Sequence, residues 1–161
     1  MFGEFNGLPV HALVIHAAVI FTPIAALLGF GLLIPRWRML LRWPLVASAS
    51  LAFVSVWVST ISGKVLKQAL GDQLNDNVTG DLVARHQQLA QRLWLVLMIY
   101  LAVAVILALL LPRLANPHAG LAFALIVAVL AVVVIVLVIQ TGDAGAKARW
   151  NPDGSFDYSG S

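Results

Sequence analysis

The sequence predicts an all-α integral membrane protein, a four-helix bundle with both termini on the outer side. Two observations carry this. Of 161 residues, 61% are hydrophobic and only 11% charged, against roughly 45–50% and 25% in ordinary soluble domains. The apolar residues gather into four stretches near the length of about 20 residues that crosses a bilayer as a helix. A soluble globular enzyme, a disordered chain and a nucleic-acid binder are excluded, since the basic residues form no patch on one face.

The spans are read at about 8–34, 43–62, 86–111 and 119–140, making residues 1–150 one transmembrane domain and 151–161 a polar tail. The first is read as retained rather than as a cleaved signal, because the residues before it carry Glu4 and no Lys or Arg. Pro35, Pro44, Pro112 and Pro117 are placed at span edges, and Pro23 is expected to kink the first helix. In the second span, Ser48, Ala52, Ser55, Ser59 and Ser62 recur in steps of four and three, a small-residue seam that lets helices approach closely. The cluster 75–80 reads as a turn. The third helix is then expected from Asp81, over about 30 residues and roughly 45 Å, so that its first turns project past the lipid. The fourth span holds no polar side chain and is expected to be the most lipid-exposed. The chain after Gln140 is read as a Gly-rich polar segment, with Trp150 and Tyr158 at the interface.

Charge sets the orientation. Arg36, Arg38, Arg42 and Arg113 occupy the first and third connections, which hold no acid. Short loops rich in Arg stay cytoplasmic, so the termini and the second connection are expected outside the cell membrane. Trp37 and Trp43 flank the basic loop as interface anchors; Trp57, Trp94 and Tyr100 are read as bundle packing.

Three of the four histidines, His11, His16 and His86, fall near the outer side. Ionisable groups at a membrane edge are costly and mark function by default. His86 lies in the middle of the apolar face formed by Leu82, Val83, Leu89, Ala90 and Leu93, opposite Gln87, Gln88, Gln91 and Arg92, so it is expected to point at other helices. His11 and His16 are about 140° apart on one helix and cannot chelate one ion together; one of them is expected to face His86. Two neutral imidazoles from different helices suit haem b. His16, His11 and His86 are therefore the candidate cofactor ligands, His16 and His86 the first pair of iron ligands. The alternatives are a structural or partner-binding subunit without cofactor, its histidines bonded to carbonyls or serines, and a metal-binding enzyme drawing on Asp81, Asp143 and Gln140. His118 is read as interfacial. With no cysteine, covalent haem attachment is excluded. No nucleophile elbow, phosphate loop or zinc-protease motif is present, no acid lies inside a span, and no inverted repeat is evident.

Leu8-Pro9-Val10-His11-Ala12-Leu13-Val14-Ile15-His16, followed by its apolar run, resembles the opening of the bacterial membrane proteins catalogued as domain of unknown function 2231. Arg85-His86 matches that family's histidine at the third span. Gly142-Asp143-Ala144-Gly145-Ala146-Lys147-Ala148 with Trp150 resembles its closing motif, so the likeness covers about residues 8 to 150. Ala12, Ala17 and Ala18 stand where many relatives place Pro near the two histidines, and Asp143 where many have His. Some relatives are joined to Rieske or cytochrome c domains. The resemblance thus implies four spans and a redox partner of the Rieske or cytochrome type, beside the lipid bilayer and no nucleic acid.

Overall fold

A computed structural model describes residues 4–71, 77–114 and 116–157. Asp72, Asp76, Tyr158 and the start of the expected 75–80 turn lie outside them. The chain opens with a hairpin of two short antiparallel strands, β1 (Glu4–Phe5) and β2 (Leu8–Pro9), with Glu4 opposite Pro9. Its two-residue loop is Asn6-Gly7, both at positive φ (52° and 79°). That is the Asn-Gly pattern a tight hairpin turn demands, and it replaces the expected start of the first span at residue 8.

Four helices follow: α1 (Val10–Gly31), α2 (Arg38–Leu70), α3 (Asn77–Leu110) and α4 (Pro117–Trp150). All four contain stretches long and apolar enough to cross a membrane. Single 3-10 turns at Pro35–Trp37 and Leu111–Arg113 join the members of each pair. In both, proline occupies an early position whose N–H the helix does not need. Pro117 starts α4, where the Asn116 side chain accepts the His118 backbone N–H (2.9 Å).

Three boundaries differ from expectation. Pro44 lies inside α2, which begins at Arg38; as the seventh residue it lies past the first turn, and its missing N–H takes one donor from the Leu40 carbonyl. α3 begins at Asn77 rather than Asp81. α4 continues ten residues past Gln140. Its added turns hold the helix formers Ala144, Ala146 and Ala148 and an ion pair of Lys147 with Asp143 one turn earlier (2.9 Å). Lys147 and Arg149 also suit the negative end of the helix dipole. α4 is about 50 Å long at 1.5 Å per residue, well beyond a hydrocarbon core of about 30 Å. After it, Asn151 exchanges hydrogen bonds with Phe156. The hydroxyl and backbone N–H of Ser155 hold the Asp153 carboxyl below the usual carboxylate range.

The helices pack in a ring, α1 on α2, α2 on α3, α3 on α4 and α4 on α1. The seam of α2 is buried as expected (Ser48, Ala52, Ser55, Ser59, Ser62). Ser48 and Ser62 donate to the Pro44 and Val58 carbonyls of their own helix, so small polar residues line the seam without stranding those two hydroxyls. α4 is the least buried helix.

The two hairpins repeat one another. Counted from His11, five buried positions on or just after α1 are Ala18, Thr22, Ala25, Gly29 and Leu32; counted from His86, five buried positions of α3 are Leu93, Leu97, Tyr100, Ala104 and Leu107, while Ala26, Leu89 and Ala108 are buried without a buried counterpart. The steps are identical. Leu45, Ala49, Ala52 and Ser59 of α2 correspond likewise to Val127, Ala131, Val134 and Thr141 of α4. Both hairpins start at the same end of the bundle. This is a parallel repeat, a different symmetry from the inverted one sought in the sequence.

Candidate functional site

At the end of the bundle where α1 begins and α4 ends, the first turn of α1 and the third turn of α3 bring His11 and His86 together edge to face. Their ring centroids are 6.2 Å apart with planes at 88°. His11 Nδ1–H donates to the Ser59 carbonyl of α2 (2.9 Å), and His86 Nδ1–H to the Thr141 carbonyl of α4 (2.8 Å). A carbonyl can only accept, so these bonds put the proton on Nδ1. In the neutral rings each Nε2 then keeps its lone pair.

Glycine makes both bonds possible. Gly63 stands one turn after Ser59, and Gly145 one turn after Thr141. A Cβ at Gly63 would lie 3.1 Å from His11 Nδ1, and one at Gly145 2.9 Å from His86 Nδ1. Each imidazole therefore rests on a bare stretch of the neighbouring helix and takes the second lone pair of a carbonyl already used within that helix. Tyr100 repeats the device deeper in the bundle. Its hydroxyl donates to the Ala25 carbonyl (2.7 Å) and lies against Gly29, one turn on.

Of the two α1 histidines, His11 is the one that meets His86. His16 is exposed, and its Nδ1–H donates to the Ala12 carbonyl of its own helix (2.8 Å). The cause is rotational: five residues turn the helix away from the α2 and α3 contacts. His86 points inward as its apolar face implies. His118 is exposed at the opposite end. Asp81 and Gln140 are exposed, Asp143 is paired with Lys147, and the described residues contain no cluster of three acids or histidines. Trp94 is half-buried and stacks on Phe53 (5.9 Å), Tyr100 is fully buried, and Trp57 is half exposed.

The opposite end is organised by arginine. Arg38 is buried; its Nε donates to the Leu32 carbonyl (2.9 Å), and its guanidinium covers Gly120 of α4. The guanidinium groups of Arg36 and Arg42 lie over Trp37 and Trp43, 5.9 and 5.8 Å from the ring centres.

Two neutral imidazoles with Nδ1–H fixed by carbonyls are the usual donor set for a metal, the carbonyl orienting the ring from behind. Their separation suits it too. Two rings bridged through Nε2 by one ion stand about 6 Å apart, from bonds of about 2 Å plus the ring radii. A haem held between two opposed imidazoles sets a similar ring separation, and its flat macrocycle needs in addition an open plane between them. Neither of two lateral cavities, one between α2 and α3 and one between α3 and α4, is lined by either histidine. In the sequence Ser59 stands out only as part of the seam and Gly145 only as part of the closing motif, and Thr141 and Gly63 not at all; the signal of all four is a hydroxyl residue four positions before a glycine near the end of each second helix.

A family model described as a predicted membrane protein, DUF2231, matches residues 7–154. No curated protein and no solved structure shows a significant match.

Proposed function

The chain belongs to the DUF2231 family of predicted membrane proteins, and we propose that it is a non-catalytic membrane module holding a redox cofactor between His11 and His86. Haem b is the proposed cofactor, and its chemistry would be one-electron transfer to a Rieske- or cytochrome-type partner. The carrying observation is the pair of imidazoles with ring centres 6.2 Å apart, each tied through Nδ1 to a carbonyl, which leaves its Nε2 for a ligand. His16 stands outside the pair as a surface group. The arginines at the opposite end support a multi-pass arrangement in the cell membrane with extracytoplasmic termini.

The test is an absorption spectrum of the detergent-purified protein, supplemented with haem. A Soret band is expected. His11→Ala and His86→Ala should each abolish it, and His16→Ala should leave it. A colourless preparation overturns the haem assignment. Elemental analysis of that preparation then separates a bare metal ion from no cofactor at all.

A second reading, a structural or partner-binding subunit without cofactor, is favoured by the same hydrogen bonds, because each imidazole ties two helices together. It predicts that the double change of His11 and His86 to Ala only lowers stability, while partner assembly persists.

A further inference from the structure

Between α2 and α3, near the end that carries the histidines, lies a lateral cavity of about 360 Å³. Its walls are mainly apolar: Trp57, Ile61 and Leu95, with Trp94 behind them. Its rim is polar, with Lys64 on α2 and Gln91 on α3. Two features remain without a partner. The Trp94 indole Nε1 is buried and makes no hydrogen bond, a costly state where no water reaches. Lys64 is the one ionised side chain of the lining, and no acid among the described residues pairs with it.

We propose that this cavity binds one anionic phospholipid. The polarity is ordered along the bundle as in such a molecule. α2 and α3 run antiparallel, so Lys64 and Gln91 lie toward the end of the helices, Trp94 about one turn deeper than Gln91, and Trp57 about two turns deeper than Lys64. The Lys64 ammonium and the Gln91 amide meet the phosphate. The Trp94 N–H, closed off in the arrangement seen, donates to an ester carbonyl just below it once the indole turns toward the cavity. An acyl chain lies along Trp57, Ile61 and Leu95. The net negative charge matters because the rim supplies a cation and no compensating acid.

The experiment titrates the full-length protein in detergent with phosphatidylglycerol or phosphatidylcholine and reads bound lipid by native mass spectrometry. Phosphatidylglycerol should bind about fivefold more tightly, the worth of one basic residue near an anionic headgroup. Lys64→Gln should erase that preference. Trp94→Phe, which keeps the ring and removes the donor, should weaken both lipids by a similar factor. Lys147→Gln, at a lysine already paired with Asp143, should change nothing. Equal binding of the two lipids by the unaltered protein, or a preference that survives Lys64→Gln, overturns the proposal. So does inorganic phosphate alone displacing the lipid, since the acyl groove would then contribute nothing.

Discussion

Single glycines set what the polar side chains of this bundle can do. Lipid offers no partner for an imidazole or phenol N–H or O–H, and the helix backbones have already bonded their carbonyls once. Each carbonyl keeps a second lone pair, but the Cβ one turn later normally blocks it. Gly63, Gly145 and Gly29 remove that obstacle for His11, His86 and Tyr100. Gly145→Ala should therefore displace the His86 ring, break its bond to Thr141, and lower stability by about 1–3 kcal/mol, as overpacking does. Gly63→Ala, with slightly more room, should cost less. Thermal melting in detergent reads both. The decisive comparison is Gly145→Ala in a His86→Ala background. With the ring gone, the same change should be neutral or stabilising, because alanine is the better helix former by up to about 1 kcal/mol. A loss of equal size in both backgrounds would mean that the imidazole is not what fills the space.

At the scale of helices, Tyr100 and Gly29 form a tie across the bundle, from α3 to α1. Tyr100→Phe removes one buried hydrogen bond, worth about 0.6 kcal/mol on average in membrane bundles. Gly29→Ala alone brings a methyl group against the hydroxyl and should cost more. Together they should cost less than their sum, and a double-mutant cycle by melting measures that coupling; strict additivity would contradict the contact. Such ties were only partly legible in the sequence. The four spans could be read because lipid imposes length and apolarity on every crossing. The seam of α2 and the inward face of His86 could be read because polar and apolar residues alternate there with helical period. The choice between His11 and His16 could not, because α1 is apolar around most of its circumference and the bare site that receives His11, at Gly63, lies on a different helix. The end of α4 departs from the Gly-rich polar segment expected after Gln140 for a local reason: the alanines and the Asp143–Lys147 pair around its glycines sustain a helix.

For the molecule as a whole, the repeat explains why one chain carries both hairpins. Corresponding inward positions share their spacing but not their size. The first hairpin is small there, with Ala18, Thr22, Ala25 and Gly29 on α1 and Ser48, Ser55 and Ser62 on α2. The second is large on α3, with Leu93, Leu97 and Tyr100, while α4 is small along most of its inward positions as α2 is, with Gly120, Ala124, Ala128, Ala131 and Ala144. Two copies of the first would leave a hollow, and two copies of the second would overfill the core; both defects are destabilising. Small against large fills it. Each hairpin also holds two spans and its own turn, so each can insert alone before the halves meet. Cutting the connection between α2 and α3 and expressing the halves together should therefore give a complex of unlike halves. Affinity purification through a tag on one half should recover the other, and differently tagged copies of the same half should not recover each other. Tyr100→Phe combined with His86→Ala should weaken recovery, since those side chains carry the bond to Ala25 and the ring contact with His11 across the joint. Like halves pairing as well as unlike ones would show that the difference in size does not set the partnership, and that the shared spacing alone is enough.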